Sequence, residues 1–206
     1  LRQRYTLTLG RVALLEAERP SATCCLPAPI DRRTGGIVTG LRGRGGAGFP
    51  TGIKWRTVLG AESDVKFVCC NLDEGDSGTF ADRILTEGDP FTLIEAMIIT
   101  AHAVRASEGY VYVRSEYPDA IATLRRAIDI AYAHGYLGAN IQGSGLDFDL
   151  HVRVGAGAYI CGEETSMLDS LEGKRGEVRA KPPIPALTGL FGKPTVVNNL
   201  LSFAAI

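Results

Sequence analysis

From residue 65 onward, short apolar runs alternate with longer segments of helical periodicity. Residues 65–71, 109–115 and 147–154 are short and rich in β-forming side chains, and the last of them alternates apolar and polar positions as a half-buried strand does. Residues 89–106 and 118–134 have the length and the apolar face of helices. Strands that alternate with helices in this order predict a layered, Rossmann-like α/β domain.

Residues typical of helix ends mark the limits of both long helices. Asp89 suits the N-cap of the first helix, and Pro90 suits its first helical position. Gly135 follows the second helix where a C-terminal glycine belongs. A further, short helix is predicted over residues 162–171.

The first part of the chain has a different character. Residues 24–36 (CCLPAPIDRRTGG) combine two prolines with a glycine pair, which favours a linker or an abrupt junction. We therefore predict an N-terminal segment or linker over residues 1–39 and one domain over residues 40–206. A length of 206 residues allows one well-buried domain and is short for two.

Composition excludes several classes of function. The net charge of −1 creates no strong field for nucleic acid or an anionic membrane. No apolar run approaches about twenty residues, so we expect no membrane insertion. The first residues lack the layout of a signal peptide, which predicts a cytoplasmic protein. The five cysteines include two adjacent pairs and form no C-x-x-C, so we predict reduced, structural thiols and no metal site in this chain.

A glycine-rich loop at residues 43–50 (GRGGAGFP) is the first candidate for ligand binding. It contains G-x-G-x-x-G, but Pro50 is expected to interrupt the helix that should follow such a fingerprint. Consecutive glycines expose backbone N–H groups to an anionic or planar ligand, and Arg44 and Lys54 supply positive charge for phosphates. The alternative is a flexible surface loop, and the interleaved Arg, Phe, Pro, Lys and Trp residues favour a ligand site.

An acidic turn directly follows the first predicted strand. Asp73, Glu74 and Asp76 fall within four residues, at the strand end where open α/β sheets bind ligands. Carboxylates there can bind a metal ion or accept hydrogen bonds from a ribose or a polar ring edge, although the spacing is not that of an EF-hand. A solvated acidic turn fits this segment equally well.

Two later segments complete the candidate site. In residues 155–165 (GAGAYICGEET), small residues permit close approach of a ligand and Tyr159 can stack or donate a hydrogen bond. Glu163 and Glu164 open a helix, whose N-terminus favours acidic side chains, so capping competes with ligand binding as their role. Asn198 and Asn199 offer donors and acceptors suited to a heteroaromatic ring edge.

In this order, the four segments resemble the flavoprotein family of the NADH-binding (51 kDa-type) subunit of respiratory complex I. The family also contains diaphorase subunits of NAD-dependent hydrogenases and the beta subunit of NAD-dependent formate dehydrogenase. The resemblance covers residues 40–206 and implies one non-covalent FMN with NAD(H) stacked on it. The FMN-binding residues that it implies are Gly43, Arg44, Gly45, Lys54, Asn71, Asp73, Glu74, Tyr159, Gly162, Glu163, Val197, Asn198 and Asn199.

The resemblance also implies how NADH is held and where its electrons go. Gly46, Phe49, Lys54, Asp76 and Glu164 are expected to position NADH, with Lys54 and Glu164 orienting it for hydride transfer. No catalytic acid or base is expected, because stacking and orientation are the protein's task in this reaction. Single electrons are then expected to pass through iron–sulfur centres.

Details of the resemblance favour one branch and reveal departures from another. EGDSGTF, RSEYPDAIATL and GLFGKPT are most similar to the formate dehydrogenase beta subunit, whose partners are a 2Fe-2S thioredoxin-like subunit and the formate dehydrogenase catalytic subunit. The complex I subunit and the hydrogenase diaphorase are the alternatives, and a nucleotide-binding scaffold without turnover is a third. Thr57 and Ile184 stand where complex I relatives have adenine-binding phenylalanines. The 4Fe-4S cluster is expected only in the full-length subunit, since its domain is absent from this chain.

Overall fold

The computed structural model of the protein describes residues 40–206. The predicted segment over residues 1–39, with Cys24 and Cys25, lies outside the described residues, so its boundary stays a prediction. The helices are α1 (Thr51–Gly60), α2 (Ala81–Gly88), α3 (Pro90–Val104), α4 (Pro118–Ala133), α5 (Glu164–Leu171) and α6 (Leu200–Phe203). The strands are β1 (Phe67–Leu72), β2 (Glu108–Arg114), β3 (Asp149–Gly155) and β4 (Thr195–Asn199), and short 3-10 turns occupy Ile141–Gly143, Tyr159–Gly162 and Leu190–Gly192.

The four strands form one parallel sheet in the order β3-β2-β1-β4. The chain moves outward from β1 to β2 and β3, and then returns to place β4 on the other side of β1. In a parallel sheet, such a reversal opens a crevice at the carboxyl ends of the two strands beside it. The predicted α/β class is confirmed, and the reversal puts that crevice between β1 and β4.

Burial on both faces explains the apolar sequence of the central strand. Val68, Cys70 and Leu72 pack into the main core, with α3 and α4, and Cys69 packs on the opposite face with Met167 of α5. Parallel strands covered on both sides are apolar throughout rather than alternating. Cys69 and Cys70 are free and fully buried, and burial raises the pKa of both thiols.

The predicted caps of the two long helices are confirmed. The Asp89 side chain accepts a hydrogen bond from Thr92 N at 3.3 Å, and Pro90 is the first residue of α3. Gly135 follows α4 with a φ of 70°, in the left-handed region that favours glycine.

Pro50 does not have the predicted effect. It lies at the N-cap of α1, and the helix begins one residue later, at Thr51. At that position the missing N–H of proline removes no helical hydrogen bond, while the Pro50 carbonyl accepts from Ile53 N and Lys54 N. The glycine-rich loop therefore leads directly into a helix N-terminus.

Four elements are not predicted by the sequence patterns as regular structure: α1, α2, β4 and the short α6.

Between residues 40 and 206, none of the helices combines the length and apolar character that a bilayer-crossing segment needs.

Candidate functional site

A cleft of about 700 Å³ lies at the carboxyl ends of β1 and β4. Its volume falls in the range of small-molecule and cofactor sites. All residues predicted from the sequence to bind a cofactor line it, except Gly46: Gly43, Arg44, Gly45, Phe49, Lys54, Asn71, Asp73, Glu74, Asp76, Tyr159, Gly162, Glu163, Glu164, Val197, Asn198 and Asn199. The four sequence segments therefore meet in one place.

The glycine-rich loop is closed on itself and tied to the end of the sheet. Gly43 N donates to Phe49 O at 2.9 Å, which closes the loop at its base. Arg44 N donates to the Ser202 hydroxyl at 2.8 Å, which anchors the loop to α6. Gly46 has a φ of 91°, a conformation that side chains disfavour, and it lies within the loop but outside the cleft lining.

Lys54 and Asn198 form a polar pair inside the cleft. Lys54 Nζ donates to the Val197 carbonyl and, at 3.4 Å, to Asn198 Oδ1. Burial lowers the pKa of Lys54, an effect that nearby Glu164 opposes. Because an ammonium group only donates, the contact fixes the Asn198 amide with its oxygen toward Lys54. Asn198 is 5% exposed, and its Nδ2 has no hydrogen-bond partner among the described residues.

At the end of β1, Asn71 holds two loops together. Its Nδ2 donates to Gly162 O at 2.9 Å, and its Oδ1 accepts from Asp73 N at 3.1 Å. A Cβ added at Gly162 would lie 3.4 Å from Asp73 O, so glycine permits the two loops to approach closely. Burial raises the pKa of Asp73, partly offset by Arg114.

Glu74 joins the acidic turn to α2. Its carboxylate accepts from Asp82 N at 3.2 Å, at the N-terminus of that helix. The Tyr117 hydroxyl also donates to Glu74, at 3.2 Å, and Arg114 donates to the Glu74 backbone carbonyl. Glu74 is therefore held in place by hydrogen bonds at the wall of the cleft, whereas Asp76 of the same turn is exposed.

Tyr159 forms the outer edge of the cleft. Its hydroxyl donates to Asp76 Oδ1 at 2.9 Å, and its ring lies against Gly75, where an added Cβ would be 2.7 Å from a ring carbon. The side chain is nevertheless 71% exposed. One face of an aromatic ring is therefore presented at the mouth of the cleft.

The two glutamates of the elbow before α5 have different roles. Glu163 is the N-cap of α5, and its Oε2 accepts from Thr165 N at 2.7 Å and from Ser166 N at 3.0 Å. Its burial raises its pKa, but the hydrogen bonds from Thr165 and Lys181 outweigh burial and leave the pKa lowered. Glu164 is the first residue of α5 and pairs with Lys181 Nζ at 2.7 Å, while Glu163 contacts the same ammonium at 2.9 Å. Glu163 therefore forms the hydrogen-bonded cap, whereas Glu164 lies in the first turn of α5, where the helix N-terminus also favours an acidic side chain.

Five polar residues that line the cleft were not among the predicted site residues: Thr79, Asp82, Lys181, Thr195 and Ser202. Lys181 stands in a proline-rich segment that predicts a rigid, extended backbone, Asp82 follows the acidic turn within the predicted second motif, and Ser202 lies outside the four segments. Of the two departures from the complex I pattern, Ile184 lines the cleft, whereas Thr57 does not and donates its hydroxyl to Ile53 O at 3.0 Å.

The histidines and the metal-binding potential add little to the site. His102, His134 and His151 are not among the cleft-lining residues. Within residues 40–206, no group of three or more His, Cys, Asp or Glu side chains is arranged to hold a metal ion.

Known proteins of similar sequence match most of this chain. The chain is similar to an NADH-quinone oxidoreductase subunit of Rhizobium meliloti (strain 1021), with 55% identity over 166 residues that cover 81% of this chain and 39% of the relative. It is 56% identical over 168 residues to the HndC subunit of the NADP-reducing hydrogenase of Solidesulfovibrio fructosivorans, covering 82% of this chain and 34% of that relative. The chain thus spans about a third to two fifths of the length of these curated relatives.

A solved structure shares the fold. The crystal structure of an NAD+-reducing NiFe-hydrogenase in the H2-reduced state matches with a TM-score of 0.72 and 44% sequence identity, over 81% of this chain and 28% of the other. The model of the Nuo51 FMN-binding domain matches residues 38–206, which is most of the chain. On this match and on the arrangement of its cleft, the chain belongs to the Nuo51 FMN-binding domain family.

Proposed function

We propose that the cleft binds FMN and that the chain passes a hydride between NAD(H) and this flavin. The observation that carries the proposal is the Asn198 amide. Its Nδ2 is a buried hydrogen-bond donor without a partner among the described residues, at the strand end where this sheet opens. A buried donor left unpaired costs about 1–3 kcal/mol, and an acceptor on a bound ligand removes that cost.

The other residues of the cleft fit the same group. The glycine-rich loop brings backbone close to a planar ligand, and Arg44 and Lys54 can compensate the charge of a phosphate. Asn71 and Asp73 hold the opposite wall in place, and Tyr159 offers an aromatic face at the mouth. The remaining predicted contacts to FMN and NADH stay proposals, including that of Gly46, which does not line the cleft.

When bound, the flavin accepts the hydride and can give up its electrons singly. The chain supplies binding and orientation rather than acid–base catalysis. Lys54 fixes the orientation of the Asn198 amide. The hydrogen bond from Asp82 N to Glu74 holds the acidic turn in place along one side of the cleft. Lys54 and Glu164 are proposed to orient the nicotinamide, and Lys181 keeps Glu164 in position through its ion pair.

The relatives named NADH-quinone oxidoreductase and NADP-reducing hydrogenase support an oxidoreductase subunit of a larger complex. We propose a cytoplasmic subunit that exchanges electrons with iron–sulfur partner subunits, with a 4Fe-4S cluster in the full-length protein. Assignment to the formate dehydrogenase beta subunit is the finer proposal and rests on EGDSGTF, RSEYPDAIATL and GLFGKPT. Electron transfer from formate, rather than from hydrogen, in the assembled complex would support it.

FMN binding is tested by titrating the purified chain with FMN and following the flavin fluorescence. Asn198→Asp keeps the oxygen that accepts from Lys54 and removes the free donor, so we expect FMN affinity to fall about 10- to 100-fold. Asn140→Asp is the matched control, because Asn140 is exposed and outside the cleft and its Oδ1 keeps its bond from Gly145 N. A chain that takes up no FMN overturns the proposal.

Hydride transfer is tested separately, by anaerobic addition of NADH to the FMN-loaded chain. We expect the visible absorption of the flavin to bleach and added ferricyanide to be reduced. FMN and NADH binding without either response would instead identify a nucleotide-binding scaffold without turnover.

A further inference from the structure

Asp82 is a buried carboxyl group in the wall of the cleft for which the proposed function has no role. It lies in the first turn of α2, lines the cleft and is only 7% exposed. Its backbone N–H donates to Glu74, but its carboxyl group forms no hydrogen bond with any residue in the described part of the chain. Buried carboxyl groups are normally hydrogen-bonded or paired, so this side chain needs an explanation.

Within the described part of the chain, no cation compensates Asp82. The nearest arginine on its own helix, Arg83, is bonded to Glu87 at 2.9 Å. Arg114 is engaged by the Glu74 carbonyl and by Glu116. A buried carboxylate without a cation therefore disfavours its charged form.

The groups that face Asp82 act in the same direction. Glu74, from the loop after β1, brings a second carboxyl group close to it, and the Tyr117 hydroxyl, at the start of α4, is bonded to Glu74. Cys70 of β1 is a buried thiol nearby. Helices α3 and α6 also pack against α2, and neither brings a charged group that shifts the pKa of Asp82. Burial is the larger cause and the Glu74 carboxylate the smaller one, and together they raise the pKa of Asp82 to about 7.

We propose that Asp82 is a proton acceptor in the cleft wall that binds one proton when the bound ligand gains a negative charge. The inference rests on the proposed function. With FMN bound, a hydride from NADH would make the flavin one unit more negative and the nicotinamide one unit more positive, so the cleft would keep one additional negative charge once NAD+ has left. The Asp82 carboxylate would take a proton from solvent, which compensates that charge. When the two electrons leave, this proton and the one that arrived with the hydride would both return to solvent.

A group that titrates near neutrality is suited to this role. If Asp82 had an ordinary carboxyl pKa, it would stay ionised and repel the added charge. Because burial and Glu74 already disfavour its charged form, a further negative charge in the cleft shifts it toward protonation near pH 7. Charge arriving in the cleft is thus coupled to proton uptake at a defined atom pair, the two carboxyl oxygens of Asp82.

The first experiment uses the chain without flavin. NMR titration of protein labelled with 13C at aspartate side chains should show one resonance that titrates near pH 7 and is missing from Asp82→Asn. Glu74→Gln removes the neighbouring charge and should move this titration to lower pH. This second variant keeps the test valid even if Asp82→Asn folds poorly. Ordinary acidic titration of every aspartate would overturn the inference.

The second experiment measures the reduction potential of bound FMN as a function of pH. Each proton taken up with the two electrons makes the equilibrium constant for reduction fall tenfold per pH unit. For a two-electron couple, this lowers the reduction potential by about 30 mV per pH unit. Above pH 7, the wild-type chain should show one proton more per two electrons than Asp82→Asn. Asp119→Asn, at an exposed first-turn position of α4, should match the wild type.

The two proposals fail in different ways. Loss of flavin binding in the wild-type chain would overturn the proposed function, whatever the titration of Asp82. Normal flavin binding with the same proton uptake in wild type and Asp82→Asn would overturn only the role of Asp82.

Discussion

The unusual pKa of Asp82 has a consequence for folding that does not depend on any ligand. In the unfolded chain the carboxyl group titrates near its ordinary value of 3.8, whereas in the folded chain it titrates at about 7. Between these values the unfolded state releases the proton while the folded state keeps it. Stability is therefore highest below the unfolded pKa, falls as the pH rises through this window, and is level again above the folded pKa.

The size of the effect follows from the difference between the two pKa values. A difference of about 3 units corresponds to about 4 kcal/mol over the whole window, since each unit is worth about 1.4 kcal/mol. Between pH 5 and 7 the stability of the wild-type chain should fall by about 2 kcal/mol relative to Asp82→Asn, which carries no titrating group at this position.

Urea denaturation at several pH values measures this difference. Trp55 is the only tryptophan of the chain and is fully buried, so its fluorescence reports unfolding directly. The stability curve of Asp82→Asn should converge with that of the wild type toward pH 4 and lie above it toward pH 8. Asp119→Asn should run parallel to the wild type throughout. Parallel curves for Asp82→Asn and the wild type would refute the raised pKa.

Three further predictions concern the walls of the cleft. Gly75→Ala places a Cβ 2.7 Å from the Tyr159 ring, which is 71% exposed and can move aside, so stability in a urea titration should change little while FMN binding weakens; wild-type FMN affinity would show that the position of this ring does not matter. Glu163→Ala should lose about 1–2 kcal/mol of stability in the same titration, whereas Glu163→Gln should retain part of the cap; equal losses would exclude the cap as the cause. Ile184→Phe should tighten NADH binding about 2- to 10-fold by calorimetry, because an aromatic ring at this cleft position adds stacking with adenine. Thr57→Phe should have little effect, and equal tightening by both changes would show that the cleft position is not decisive.

The parts of the fold that the sequence predicted are those governed by local rules. The caps at Asp89 and Gly135 depend on neighbouring residues, and the apolar run of β1 reports its own burial. Helix α2 lacks such a signal, because its N-cap residue, Phe80, forms no side-chain cap. The carboxylate at its N-terminus comes from Glu74, which belongs to the preceding turn.

Strand β4 was missed for a related reason. Its sequence, TVVNN, ends in two asparagines, which are depleted in strands, yet Asn198 is buried beside Lys54. The polar end of this strand reflects its place in the cleft rather than its secondary structure. The order of the motifs along the chain predicted that their residues share one site. The ion pairs of Lys181 and the burial of Asp82 depend instead on tertiary contacts that no local pattern contains.

The return of β4 to the side of β1 also determines when the cleft exists during folding. Lys54 and the Val197 carbonyl are separated by 143 positions, and Arg44 N and the Ser202 hydroxyl by 158. Contacts at such separations form slowly, because the intervening chain must first be ordered. The cleft is therefore complete only after β4 is inserted, and a ligand that needs both walls binds only after that step. Such a ligand at 100 times its dissociation constant stabilises the finished fold by about 2.7 kcal/mol. Ligand binding and the docking of β4 are therefore coupled equilibria, so the chain without its ligand should become sensitive to proteases first at β4.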